Sequence, residues 1–516
     1  MPLKVSDFVL ITFTLIVIKV YFNRRRNPSG YPYPPGPRSL PIVGNLFDVP
    51  QTASWVTYGK WAKKYGDLLS VNMLGKTVVV INSAEVAKEL LDKRGSVYSD
   101  RPSIPMHDLM SFNSFSLVTM RYGNQWRTGR KVADQCLRLN AAVTYRPMQK
   151  RKAHEFLRNI MRDPDNFLGH IKYLTASVIM SLTYGQEITS FNDRYVALLE
   201  ESVKRAVATI LPNSVLVNVF PALQYLPRWL PGMGFLDFAA DTCKLLREAM
   251  DAPFSFVKKE MENGTALPSL TREGLNLYET SGIDDEAERT VKGVAATIYM
   301  AGVETTVSAV STVFAALILH PEVQRRAQAE LDAVVGRDRL PGFEDRKELP
   351  YVEAVCMELL RWKVITPLAI PHATSEDDVY GNYFIPKGSH VLANVWAILH
   401  DPVAYPDPES FIPERFMTPE GSVKEDPLLT CAFGFGRRIC PGRHLADATL
   451  WIVVASILSA FHVGNAKDES GHNITPTFEF TESGASCHPL PFTCSIVPRD
   501  RQAQDLIKAS EVQADQ

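Results

Sequence analysis

The run Phe433-Gly434-Phe435-Gly436-Arg437-Arg438-Ile439-Cys440-Pro441-Gly442 constrains this chain more than any other stretch. It places one cysteine among three glycines and two arginines, directly before an apolar, helix-like run at 445–461. A helix N-terminus and neighbouring guanidinium groups favour the thiolate form of a cysteine. Glycines let the backbone pass close to a flat partner and can offer N–H groups to the sulfur. A buried structural cysteine after a turn is the plainer alternative. A zinc site built on Cys440 and His444 needs a second ligand pair. Cys431, nine residues upstream, has no close cysteine or histidine partner in the sequence.

The chain has 516 residues, 46% hydrophobic and 22% charged, an ordinary globular composition. That length is enough for one large α-rich domain or for roughly two to four smaller ones. A net charge of −2 carries no nucleic-acid signature. The seven cysteines are scattered and odd in number, which argues for a reducing compartment and against a disulfide framework.

Residues 8–22 are apolar except for Thr12, Thr14 and Lys19, and Asn23-Arg24-Arg25-Arg26 follows at once. A span needs about 20 residues. Residues 2–7 can extend this one, and Lys19 can snorkel. A cleaved signal peptide would carry a small-residue cleavage site and place its basic cluster before the apolar run. The expectation is a single-pass anchor at 1–23, with the arginines and all that follows in the cytosol. A basic, Pro-rich hinge (24–40) containing Tyr31-Pro32-Tyr33-Pro34-Pro35-Gly36-Pro37 comes next. A globular body (41–500) and a polar C-terminal tail (501–516) complete the expected organisation. The sequons Asn263-Gly264-Thr265 and Asn473-Ile474-Thr475 should then stay unmodified.

Within the body, 68–74 and 77–82 are β-rich runs around Gly75-Lys76, a hairpin signal. Ser83 should cap a short helix at 84–93 that Gly95 ends. Helical spacing dominates 125–365. The longest helix should run over about 284–319, with Pro321 opening the next. Strand-like alternation returns at 379–394. The whole predicts a mainly α protein with a minor sheet.

Ala301-Gly302-Val303-Glu304-Thr305-Thr306 falls in the middle of that longest helix, among small and apolar neighbours. A helix apolar all round is buried, and burying Glu304 is costly unless it is paired or neutral. Gly302 weakens the helix, and a threonine hydroxyl can bend it, so a broken ladder is expected here. Glu358 and Arg361 share a helix face, with Arg415 downstream in Pro413-Glu414-Arg415-Phe416. Trp126 and Arg130 share another face. Apolar, loop-borne stretches at 106–117 (with Phe112 and Phe115), 210–220, 365–370 and 483–488 suit substrate contact.

These runs together resemble the cytochrome P450 family over about residues 35–500. Phe433, Gly436, Arg438, Cys440 and Gly442 stand at the spacing of its cysteine-ligand loop. The resemblance implies the P450 fold, haem b and Cys440 as axial ligand of the iron, with Gly434 and Gly442 in the same cradle. It implies that Trp126, Arg130, His372 and Arg438 meet the haem propionates. It implies Glu304 and Thr305 as an acid–alcohol pair, Thr305 bonding dioxygen and Glu304 relaying protons. Glu358, Arg361 and Arg415 match the family's structural Glu–Arg–Arg network.

The implied activity is a haem-thiolate monooxygenase that inserts one atom of O2 into a hydrophobic small molecule. No dinucleotide fingerprint or flavin segment accompanies it. The resemblance therefore implies electrons from NADPH through a separate NADPH–cytochrome P450 reductase, docked near Cys440, at the endoplasmic reticulum membrane. The hinge, Pro227-Arg228-Trp229-Leu230-Pro231-Gly232 and Ala369-Ile370-Pro371-His372 resemble fungal members that act on secondary metabolites, with terpenoids preferred. The competing classes are a reductase-independent isomerase, dehydratase or peroxygenase, and a non-enzymatic haem sensor. Neither needs an acid–alcohol pair.

Overall fold

The computed structural model describes residues 27–188, 193–210, 215–279, 282–474, 476, 478–481 and 486–511. The expected anchor at 1–23 lies outside the described residues. So do parts of two expected substrate stretches, 211–214 and 483–485.

Helix α1 (Ser54–Tyr65) leads into strands β1 (Leu68–Met73) and β2 (Lys76–Ile81), joined as the hairpin signal predicts. Leu74 and Gly75 make that turn with positive φ. Ser83 caps the next short helix, its Oγ accepting from the Val86 N–H. That helix widens into a π-turn at Lys88–Lys93 and Arg94 closes it, whereas Gly95 opens a further turn.

The helical body follows: α2 (Asn124–Leu137), α3 (Arg146–Arg162), α4 (Phe167–Tyr184), α5 (Arg194–Ile210), α6 (Gly234–Glu262), α7 (Asp285–Leu319), α8 (Pro321–Val334) and α9 (Pro350–Trp362). Asp284 caps α7, its Oδ1 2.8 Å from the Ala287 nitrogen. At 35 residues α7 runs about 52 Å. It packs along α4, and both are apolar on most sides because both lie inside the core.

Four short strands come next: β3 (His372–Ala373), β4 (Asp378–Tyr380), β5 (Tyr383–Ile385) and β6 (His390–Ala393). They are followed by α10 (Arg443–Ala460), β7 (Phe461–Lys467), β8 (Asn473–Ile474) and β9 (Cys494–Pro498). The largest sheet has the order β1-β2-β6-β3, with β2 and β6 parallel. Helices α7 and α10 are long and apolar enough to cross a membrane, but 56% and 72% of their most apolar windows are buried inside the body.

The expected polar tail begins with a helix instead. Asp500 caps α11 (Arg501–Ala509), and its Ala503 and Ile507 are buried. Polar residues cover one face only, so helical spacing gathers the few apolar ones into a docking stripe.

Candidate functional site

The loop before α10 is a chain of tight turns. The Cys440 N–H donates to the Phe433 carbonyl at 2.8 Å and closes it. Gly434 has φ 86° and ψ −164°, a region open to glycine alone. A Cβ on Gly436 would lie 2.2 Å from the Leu91 carbonyl oxygen, so that position excludes any side chain. A Cβ on Gly442 would stand 3.9 Å from the Cys440 sulfur. Arg130 Nη1 donates to the Ile439 carbonyl at 2.5 Å, and Arg443 Nη1 to the Cys440 carbonyl at 3.2 Å. Burial pushes the Cys440 thiol above its ordinary pKa, while the Gly442 N–H, Arg130 and Arg443 pull it down. Desolvation wins, contrary to the expectation of a pre-formed thiolate. A thiolate here needs a bound cation to hold it.

Four predicted residues gather beside this loop. Trp126 Nε1 donates to the Leu117 carbonyl at 3.1 Å, and the Arg438 guanidinium lies 4.2 Å from the Trp126 ring centre. Arg438 donates to the carbonyls of Ser99 (2.8 Å), Leu117 (3.0 Å) and Met120 (2.8 Å). Arg130 also holds Asp134 one turn on. His372 is buried with Nδ1 2.8 Å from the Tyr98 carbonyl. A carbonyl only accepts, so Nδ1 carries the proton. Burial, then Arg101, push this ring far below its ordinary pKa. In that neutral form Nε2 is an acceptor, and it binds an anion only once protonated.

Sequence reasoning missed Arg101. It is 5% exposed and donates to the Val118 carbonyl through Nε (2.8 Å) and to Ile370 and Pro371 through Nη1 (2.7 and 2.8 Å). Burial and the Arg438 cation push it well below the usual guanidinium range. The neighbouring Asp100 carboxylate is taken by Arg121 and by the Tyr122 and Arg101 N–H groups. Two buried cations thus share one locality, and the bonds they make go to carbonyls. Such a cluster is costly unless an anion joins it. The two carboxylates of haem, with a thiol ligand beside them, fit this donor set.

Helix α7 is continuous through 301–306, so the expected break is absent. A Cβ on Gly302 would sit 2.8 Å from the Ile179 Cδ1. Glycine there lets α4 approach rather than loosening the ladder. Thr305 Oγ1 donates to the Ala301 carbonyl at 2.8 Å, and Thr306 Oγ1 to Gly302 at 2.6 Å. Ala301 and Glu304 are exposed while Met300 and Ser308 are buried. Glu304 is thus exposed in this structure, contrary to expectation. The apolar pattern reported the packed sides of α7 and hid its one open side.

Glu358 and Arg361 are fully buried and fork onto each other at 2.6 and 2.9 Å. Glu358 Oε1 also accepts from the Ile412 N–H (2.8 Å) and Arg415 Nε (3.2 Å). Three of the four stretches expected to meet substrate reach α7, one of them through Cys487, and the fourth reaches the first of them. The Ser308 hydroxyl donates to the Cys487 carbonyl, and the Cys487 N–H to the Ile365 carbonyl, both at 2.6 Å. Leu117 N–H donates to Thr297 Oγ1 at 3.3 Å. Asn218 Oδ1 accepts from the Met106 N–H at 3.1 Å.

Comparison with known proteins shows the family. The family model described as Cytochrome P450 matches residues 34–493. The chain is 41% identical to cytochrome P450 monooxygenase 208 of Postia placenta, covering 96% of each chain. It is 38% identical to cytochrome P450 monooxygenase claR of Ampulloclitocybe clavipes, over 98% of this chain and 92% of that one. It is also 38% identical to cytochrome P450 monooxygenase COX1 of Coprinopsis cinerea, over 97% and 99%. With a cysteine in a glycine-lined turn, a family match over residues 34–493 and relatives matched almost end to end, the chain belongs to the cytochrome P450 family of haem-dependent oxidoreductases.

Proposed function

We propose that the protein is a monooxygenase that inserts one oxygen atom from O2 into a hydrophobic small molecule. Its electrons would come from NADPH through a separate NADPH–cytochrome P450 reductase. The observation that carries this reading is Cys440 at a tight turn two residues after buried Arg438, whose cation lies near that of buried Arg101. Haem, when bound, supplies dioxygen activation, and a thiolate ligand favours O–O cleavage. Cys440 would bind the iron, with Gly434 and Gly442 leaving space for the ring. Arg438, Arg101 and Arg130 would hold the carboxylates, aided by the Trp126 stack and by His372 once protonated.

Thr305 would exchange its bond to Ala301 for one to dioxygen. Glu304, one residue before it, would relay protons towards that oxygen. The convergence of 106–117, 365–370 and 486–488 on α7 supports an apolar substrate side. A cleft of about 390 Å³ along α2 is lined by Arg127, Arg130, Lys131 and Arg138, with Asp134 among them. Arg130 links that cleft to the cysteine loop, which suits an electron donor with an acidic face.

A role in secondary metabolism, with terpenoids as first candidates, rests on the resemblance of the proline hinge and the 227–232 and 369–372 runs to fungal members. The apolar N-terminus supports single-pass anchoring in the endoplasmic reticulum membrane with a cytosolic body. The deciding test is the reduced carbon monoxide difference spectrum. The Soret band should lie at the far-red position of thiolate ligation, and Cys440→Ser should abolish it. Colourless protein from iron-rich culture, or a nitrogen-ligated spectrum, refutes the reading.

A further inference from the structure

Ala369 is a non-glycine residue with a left-handed backbone, φ 51°. It ends a turn in which its own N–H donates to the Thr366 carbonyl at 2.9 Å. Such a residue persists where its surroundings over-determine it. Here the flanking carbonyls are pinned on both sides. The Ile365 oxygen accepts from Cys487 N–H, and the Pro367 oxygen accepts from Trp396 N–H at 3.1 Å. Beyond Ala369, the next two carbonyls, Ile370 and Pro371, both accept from Arg101 Nη1. The same guanidinium holds Val118 through Nε. Val118 follows directly on the stretch 106–117.

We propose that Arg101 is a positioning residue that fixes the strained turn at Ala369 and clamps loop 365–370 to stretch 106–117. In this role it sets the shape of the substrate side, in addition to facing the cofactor. The inference rests on the haem-thiolate reading above. Lysine at position 101 keeps the charge but lacks the planar fork that spans three carbonyls. Glycine at 369 removes the steric reason for the turn to need a clamp.

The haem-loaded full chain is titrated with imidazole and with 4-phenylimidazole, read by the shift of the Soret band. The ratio of the two dissociation constants reports room on the substrate side and is independent of haem content. R101K should change that ratio about tenfold, the discrimination that about one methylene of misfit produces. A369G alone should leave the ratio near the parent's, because glycine takes this backbone without strain, and in the double variant it should restore most of the ratio lost in R101K. An unchanged ratio in R101K, with haem lost or stability lowered, overturns the proposal and leaves Arg101 a cofactor contact only. Should R101K fail to fold, R101Q is read in its place, and an unchanged ratio there overturns it equally. A parent chain that shows no azole shift at all refutes the haem reading itself.

Discussion

Replacing Arg361 with lysine keeps a buried positive charge and removes its geometry. The guanidinium uses all five of its N–H donors: two on Glu358, and one each on the carbonyls of Leu399 (3.1 Å), Pro408 (2.8 Å) and Ser410 (3.1 Å). Lysine has three donors, so at least two acceptors in a fully buried site lose their partner. Each hydrogen bond to a charged group contributes about 1.5–3 kcal/mol, which puts R361K at about 3–6 kcal/mol. Total stability is about 5–15 kcal/mol, so the loss is a large fraction of it. The assay is urea unfolding by far-UV circular dichroism, comparing midpoints of haem-loaded R361K and R228K. Arg228 pairs with Asp237 on the surface, both about two-thirds exposed, and its change should stay within about 0.5 kcal/mol. Equal midpoints for the two variants would refute the claim that the fork, rather than the charge, joins α9 to the segment 408–415.

Gly436→Ala should prevent haem incorporation, because its Cβ meets a backbone carbonyl that cannot swing away. Gly434→Ala makes only an ordinary contact, 3.9 Å to the Arg438 carbonyl oxygen, and should cost about 1–3 kcal/mol of backbone strain, leaving some haem-loaded protein; pigment yield at the Soret band separates the two. Thr305→Ala should keep the thiolate spectrum while NADPH consumption in the presence of reductase outruns product formation; tight coupling in the variant argues against its proton role. His154 and His400 are each 7% exposed, and burial pushes them down to about 4 and about 3. The unfolded chain binds more protons below about pH 6.5, so stability is full above that value and falls as pH drops towards 4. At about pH 5 the two together should remove about 4 kcal/mol, and the urea midpoint should depend less on pH in His154→Gln/His400→Asn.

The cysteine loop, the β1–β2 hairpin, the caps at Ser83 and Asp284 and the Glu358–Arg361 pair were all legible from residues close in sequence. Glycine at a forced turn, a capping oxygen and i,i+3 spacing are local physics, and local physics survives in any window of ten residues. Arg101 had no such signal. Its partners at 370 and 371 are about 270 residues away, and a single arginine before a proline carries no period. Gly302 looked like a weak point because propensity sees only its own helix, whereas the Ile179 side chain shows why glycine stands there. Glu304 looked buried because its neighbours are apolar, yet periodicity says that a helix packs and not which side stays open.

Taken alone, the order of residues determined the helical class, the limits of α7 and the turn that presents Cys440. The folded arrangement decided which cations have no carboxylate, which carbonyls they hold, and that burial outweighs the arginines at the Cys440 sulfur. The reason is range. Backbone preference acts over a few residues, whereas desolvation and charge pairing depend on what the chain brings back from hundreds of residues away.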